Sequence, residues 1–338
     1  MNLSTLFLAM APAKDAPLPP NDAKGGPWSM PIQASTFAPE TDAIYLFILV
    51  LCLISFVGII GATLYFMRAY RRRSPDQKTS SITHNGKVEF LWSAIPAVLL
   101  VVIFLWSEVA FMKQVVPPSD AIDIRVKGQK WFWTAEYPAN PGVQLNNEII
   151  VPVGVPVRVT LTSEDVIHSF FIPAFRIKRD AVPGRYTTVW FEATRPGDYN
   201  LFCAEYCGDQ HSEMRGVVHV LPLDEYEAAL EEAGRLELEQ GESLAAFGER
   251  IYTRKGCNAC HSTDGTTKTG PSWKGIYGAD RTFADGSSGK VDDNYIRESI
   301  LEPNAKVVAG FTPQMPSFQG QLNDDQITAL IEFMKTLK

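Results

Sequence analysis

The chain has 338 residues, a formal net charge of -7, 46% hydrophobic residues and five cysteines. That length suits about two domains, the acidic balance argues against a nucleic-acid partner, and so few cysteines do not make a disulfide framework. Four of the cysteines form two close pairs, Cys203/Cys207 and Cys257/Cys260, while Cys52 lies in an apolar run and reads as a small buried hydrophobe.

Residues 1–39 read as an N-terminal tail. MNLSTLFLAMAPA has the short apolar stretch and the A-x-A patterns of a secretory signal peptide but no leading basic residue, which leaves cleavage open. Residues 14–39 are rich in Pro, Gly and Asp and read as loose. A transmembrane hairpin is expected over 40–115. Residues 43–67 carry no charge, and residues 90–112 carry only Glu108 near the outer border. Both lengths suit a hydrocarbon core of about 30 Å. RAYRRR at 68–73, with Lys78 and Lys87, makes the connection basic, whereas the flank FAPETDA has no Lys or Arg. The positive-inside bias then puts the connection in the cytoplasm, with both termini and everything after about residue 115 outside.

Residues 116–222 read as all-β. IDIRVKG alternates apolar and polar, EIIVPVGVPVRVTLTS gives two strands around a turn, and YTTVWFEAT and RGVVHVLPL continue the series. Residues 223–243, rich in Glu and Ala, read as a solvated acidic helix or linker. Residues 244–338 form a further unit with helices near 244–256 and 323–337; Ile327, Leu330, Ile331 and Met334 share one face of the second. The Gly-rich stretch between those helices is more than so small a unit orders without an added core element.

CNACH, residues 257–261, supplies that element. C-x-x-C-H is the attachment signature of c-type haem: Cys257 and Cys260 add to the two vinyl groups and His261 faces the iron. Zinc needs four protein ligands, and no Cys or His follows His261. A thioredoxin-like site expects βαβ surroundings, which are absent. For the sixth iron position only Met315 and Met334 lie downstream; Met334 falls on the apolar helix face, and Met315 sits between prolines in TPQMPSF. A thioether opposite imidazole stabilises ferrous iron. With its two helices, the unit resembles a small class I cytochrome c. That resemblance implies that the carbonyl of Pro271, in TGPSW, accepts a hydrogen bond from the proximal imidazole, and that the terminal helix crosses the first near Gly248, against Leu330 and Phe333.

CAEYCGDQHSEM, residues 203–214, offers Cys203, Cys207, His211 and Met214 within twelve positions. A disulfide between the cysteines closes only a tiny loop and leaves the other two unexplained. Methionine is not a usual zinc ligand. Soft sulfur donors with imidazole favour copper, and two cysteines suit a pair of coppers bridged by two thiolates. Each copper then needs an imidazole. His211 is one; the other comes from His168, His219 or His84, with His168 favoured because a loop at a strand end delivers it.

The constellation is similar to the dinuclear copper A centre of haem–copper oxidase subunit II, whose C-x-E-x-C-x-x-x-H-x-x-M and upstream D-V-x-H-S-F match position by position. The resemblance covers roughly 40–222, including VEFLWSAIP at 88–96. It implies that Cys203 and Cys207 bridge the metals, that His168 and His211 each bind one, and that Met214 and the carbonyl of Glu205 are weak ligands. It also implies that the Glu205 side chain reaches a magnesium shared with the catalytic subunit. Trp131, in GQKWFW, matches the residue through which electrons come in; packing aromatics are the plainer reading. Glu89 matches the carboxylate at the mouth of a proton path; a snorkelling border residue is the plainer reading.

Together these features describe a multi-domain membrane protein: a two-helix transmembrane hairpin, an all-β cupredoxin-like domain and an all-α cytochrome c domain. It resembles subunit II of a caa3-type cytochrome c oxidase with a fused cytochrome c. The implied location is the bacterial inner membrane, with the metal domains on the periplasmic side. The implied partners are subunit I, other oxidase subunits, membrane lipid and an upstream donor, either a cytochrome c or a quinol-oxidising complex. A copper A-containing nitric oxide reductase shares the same electron-transfer parts and is the alternative.

Overall fold

The structure, a computed structural model, describes residues 30–338. The signal-peptide character and most of the expected tail lie outside these residues. What is described of the tail is not loose. Ala34 and Ser35 are buried, the Ala34 amide donates to the carbonyl of Ala174, and the Thr36 amide donates to that of Glu192. Residues 32–37 therefore run as an edge of the β-domain.

Two long helices follow, α1 (Ala38–Ala69) and α2 (Gly86–Val115). Proline in the first turn starts α1, where its missing N–H costs nothing. Asn85 caps α2: its side chain accepts from the Val88 amide, and Glu89 accepts from the Asn85 amide at 2.9 Å. The helices meet at the Phe47–Trp106 ring pair and the Glu40–Lys113 ion pair. Most of their apolar side chains face outward, a surface that only hydrocarbon solvates well. Cys52 belongs to that surface. It is exposed on α1 rather than buried, because a lipid-facing helix needs no protein partner for an apolar side chain.

The β-domain is a sandwich of two five-stranded sheets. One has the order β3 (Gln144–Asn146), β2 (Phe132–Glu136), β1 (Ile122–Gln129), β5 (Pro156–Ser163), β8 (Thr187–Glu192). The other has the order β4 (Glu148–Pro152), β10 (Arg215–Leu221), β9 (Gly197–Cys203), β6 (His168–Ile172), β7 (Ile177–Ala181). β1 and β5 are parallel, as are β4 and β10; the other pairs are antiparallel. In β5, Val157, Val159 and Leu161 point inward at alternate positions and are fully buried, the period-two pattern of a half-buried strand.

Helix α3 (Leu223–Gly234) is not fully solvated as the acidic composition suggests. Tyr226, Ala229, Leu230 and Ala233 recur at helical spacing and are buried with the sandwich core, leaving the glutamates on the other face. Helix α4 (Leu244–Arg254) follows, then a single turn α5 (Cys257–Cys260), a hairpin of β11 (Asp280–Thr282) and β12 (Ser288–Lys290), α6 (Asp293–Leu301) and α7 (Asp324–Thr336). The α6 helix was hidden in the Gly-rich stretch; its signals are the Asp292 cap and buried Ile296 and Ile300 at i,i+4. α7 opens on a capping box between Asn323 and Gln326. α4 crosses α7 at Gly248, where an added Cβ would lie 2.0 Å from the Ala329 carbonyl oxygen and 2.8 Å from Phe333 Cβ. Only glycine lets the helices approach this closely.

Candidate functional site

β6 pairs with β9 so that Phe170 faces Cys203. That register brings His168, the first residue of β6, beside the loop that leaves β9. The Cys203 and Cys207 sulfurs lie 3.9 Å apart, and the His168 Nδ1 lies 3.9 Å from the Cys203 sulfur. His211 Nδ1 is 3.5 Å from the Cys207 sulfur, and Met214 Sδ is 3.8 Å from it. The Glu205 carbonyl oxygen is 3.2 Å from the Cys203 sulfur, while its side chain points to solvent. All six residues predicted from the sequence thus converge on one place. His168 is fully buried and Met214 nearly so, and a short 3-10 turn at His211–Glu213 aims the imidazole back at Cys207.

The sulfur–sulfur spacing is far too wide for a disulfide, which needs about 2.05 Å. It lies within the roughly 4.6 Å that two metal–thiolate bonds of about 2.3 Å span. Electrostatics points the same way. Burial pushes the Cys203 thiol up, but hydrogen bonds with His168 and with the backbone of Ser169 and Glu205 carry it below its usual range. Burial and the neighbouring Cys203 charge push Cys207 up to about 12. The pair holds one negative charge easily and a second only if a cation compensates it.

Two residues that support the site were not singled out from the sequence. His168 Nε2 donates to Asp165 Oδ1 at 2.8 Å, which leaves Nδ1 turned toward the sulfurs. The visible signal was the Asp three positions before a site histidine. Gly128 leaves room for the His168 ring, since a Cβ there would meet it at 2.9 Å. The rejected histidines lie elsewhere. His219 is buried on β10 with its Nδ1 2.7 Å from Asp198, and His84 is exposed in the connection between α1 and α2.

The second cluster surrounds CNACH. Cys257, Cys260, His261, Pro271, Met315 and Met334 line one cavity in the C-terminal domain. His261 Nδ1 donates to the Pro271 carbonyl oxygen at 2.7 Å, so Nε2 is left for the cavity. Burial lowers the His261 pKa and keeps the ring neutral, as a ligand must be. Gly270 is required here: a Cβ would lie 2.7 Å from the imidazole. Burial also pushes the Cys257 thiol up to about 12, so it is an inert thiol rather than a reactive thiolate unless a partner takes it. An apolar cavity beside two thiols and a neutral, oriented imidazole fits a covalently held haem.

Trp131 is half-buried, lies 3.2 Å from where a Gly208 Cβ would be, and its Nε1 has no partner among the described residues. It is the adjacent Phe132, not Trp131, that lines the cavity beside CNACH. Glu89 lies at the start of α2, where it closes the Asn85 cap.

Comparison with known proteins follows the same division. Residues 25–108 match the family described as cytochrome c oxidase subunit II, transmembrane domain, residues 140–221 its periplasmic domain, and residues 245–338 cytochrome c. Cytochrome c oxidase subunit 2 of Alkalihalophilus pseudofirmus is 30% identical over 305 residues, 88% of this chain and 86% of the relative. The chain belongs to the cytochrome c oxidase subunit II family. The solved periplasmic domain of subunit II of cytochrome oxidase from Bradyrhizobium japonicum is 33% identical, covering 35% of this chain and 96% of that one, with a TM-score of 0.34. A chain of a haem–copper terminal oxidase dimer is 21% identical over 52% of this chain and 99% of that one, with a TM-score of 0.25.

As a member of this family, the subunit II chain is part of a haem–copper oxidase and works beside subunit I. Its periplasmic domain implies copper A and its cytochrome c domain implies haem c, and the clustered His168, Cys203 and Cys207 provide buried donors for the first. Its two membrane-spanning helices and periplasmic domain fit the inner membrane.

Proposed function

We propose that this subunit passes electrons from a donor outside the membrane through its cytochrome c domain to its cupredoxin-like domain, and on to subunit I, where oxygen is reduced to water with proton translocation. The observation that carries this reading is the convergence of Cys203, Cys207, His168, His211, Met214 and the Glu205 carbonyl on one buried place, with sulfur–sulfur and sulfur–nitrogen separations of 3.5 to 3.9 Å. Cys203 and Cys207 would bridge a copper pair, His168 and His211 would each hold one metal, and Met214 and the Glu205 carbonyl would bind weakly. Cys257 and Cys260 would anchor a haem, with His261 and Met315 on its two faces and Pro271 orienting His261. When bound, each of these groups takes up and gives back one electron.

The chain's own residues do the rest. Asp165 holds His168 in one tautomer, Pro271 does the same for His261, and the rigid sandwich limits ligand movement on a change of charge. The Glu205 side chain, exposed beside the centre, would reach a magnesium shared with subunit I. Trp131 would carry electrons toward the copper pair, and Glu89 would stand at a proton path into subunit I. Both termini and both metal domains would face the periplasm, with the basic 68–73 segment in the cytoplasm.

The test is spectroscopic. Purified subunit should contain two coppers and one haem, with near-infrared absorption from a mixed-valence pair and a c-type pyridine haemochrome. Met214→Leu should perturb only the copper absorption, and Met315→Leu only the haem. Zinc, or one copper per chain, would overturn the reading.

A further inference from the structure

The two metal domains are joined by more than their connecting segment. Asn146, at the end of β3, donates from Nδ2 to the Arg254 carbonyl at 2.9 Å, while its Oδ1 accepts from the Thr134 hydroxyl at 2.9 Å. Arg254 is the last residue of α4, so this carbonyl is one that a helix leaves without an internal partner. The cupredoxin domain thus caps a cytochrome helix three residues before Cys257. Two residues on, Gly256 has φ 71°, and a Cβ there would lie 3.2 Å from the Asn146 side chain.

A second contact lies on the other loop. Gln210, directly before His211, donates from Nε2 to the Thr269 hydroxyl at 3.0 Å. Thr269 directly precedes Gly270 and Pro271, which shape and orient His261. Phe132 of the cupredoxin domain lines the haem cavity together with Gly256 and Thr269, one beside each contact. The connecting segment is also fastened: Gln326 of α7 donates to the Leu236 carbonyl at 2.8 Å, and Arg250 of α4 pairs with Glu242 at 2.7 Å.

We propose that Asn146 and Gln210 are positioning residues, a two-point latch that holds the haem cavity against the copper loop across Phe132, so that electron exchange within the chain takes place in this fixed dock without a domain swing. The inference rests on the reading of the two domains as copper- and haem-binding. Each latch point joins a ligand-bearing segment of one domain to the other domain through a neutral side-chain hydrogen bond. A neutral bond of this kind holds with about 1 kcal/mol, or about fivefold in the docked-to-open ratio, and two points on different residues of both domains act roughly additively.

The test uses the full oxidase carrying Asn146→Ala, Gln210→Ala, both together, Thr269→Val and Thr269→Ser. Hydrogen exchange at residues 254–257 and 269–271 reports opening of the seam. Photochemical reduction of the haem then reports electron transfer to the copper pair. Protection should fall about fivefold in each single variant and about thirtyfold in the double. The double variant should add a slow transfer phase from open molecules, and Thr269→Ser should keep the wild-type behaviour because it keeps the hydroxyl. Wild-type protection and a single transfer phase in the double variant, with both metal spectra intact, would overturn the latch. If Asn146→Ala fails to fold because Thr134 loses its partner, Gln210→Ala and Thr269→Val decide the question alone. If the wild-type oxidase lacks the copper pair or the haem, the functional reading fails, and the exchange data still decide the latch.

Discussion

Arg176 closes two guanidinium nitrogens on the Asp42 carboxylate, Nε to Oδ1 at 2.7 Å and Nη2 to Oδ2 at 2.9 Å. Asp42 lies in the first turns of α1, and Arg176 lies just after β6 with φ 57°. The pair is almost fully buried, and Arg176 also donates to the carbonyls of Pro31 and Pro173. One buried fork therefore ties the membrane hairpin to the metal-bearing sandwich.

Breaking that fork on one side should cost about 3–5 kcal/mol, because it strands a buried charge. Asp42→Asn or Arg176→Met in detergent-solubilised subunit should lower the denaturation midpoint. The double change Asp42→Leu with Arg176→Met should recover much of the loss. Equal stability of the single and double variants would refute the account.

Asp165→Asn removes the carboxylate that sets the His168 tautomer. Copper affinity should fall by about ten- to a hundredfold, read by competition with a chelator and by near-infrared absorption. The haem absorption should not change, since the hydrogen bonds of Asp165 go to Lys130, Ser163, Val166 and His168.

Gly248→Ala places a methyl 2.0 Å from a backbone oxygen that has no rotamer to escape into. The crossing of α4 and α7 has to open, at a cost of about 3 kcal/mol or more. Haem incorporation and thermal stability of the cytochrome domain should drop together, while the copper absorption stays intact.

Glu148 gives a pH dependence of definite sign. Burial holds its carboxyl up at about 7, against the nearby positive charges of His219 and Arg254. The unfolded chain ionises first, near 4.5, so stability is lost as pH rises from there to about 7 and is flat above. The loss is roughly 3 kcal/mol as an upper bound. Glu148→Gln should flatten this slope in denaturant midpoints measured across that window; an unchanged slope would exclude Glu148 as its source.

Much of the fold was legible because its signals are local. The two uncharged runs, the strand alternation of IDIRVKG and the i,i+3,i+4,i+7 face of α7 need only near neighbours to be read. Where signals were weak or misleading, packing decided. Helix α6 hid in a Gly-rich region, α3 buried a face that its glutamates disguised, and Cys52 met no protein core at all. Asp165 stands inside the D-V-x-H-S-F motif, but Phe132, Asn146 and Gln210 gave no such signal; their roles come from partners far away in the chain.

By itself the sequence determined the donor chemistry: two thiols, an imidazole and a thioether in twelve positions, and C-x-x-C-H fifty residues on. Spacing within one loop limits which atoms meet, so such motifs need no knowledge of the fold. The choice between His168 and His219 was different. β6 pairs with β9 beside Cys203, whereas His219 of β10 faces Asp198 of β9, four residues beyond the Arg215–Phe202 pair, or about 13 Å along the strand. The sequence favoured His168, but only the tertiary structure decided that it meets Cys203, because strand order and register bring together residues far apart in the chain. The same holds for the dock between the two domains, which depends on where a helix end meets a strand edge.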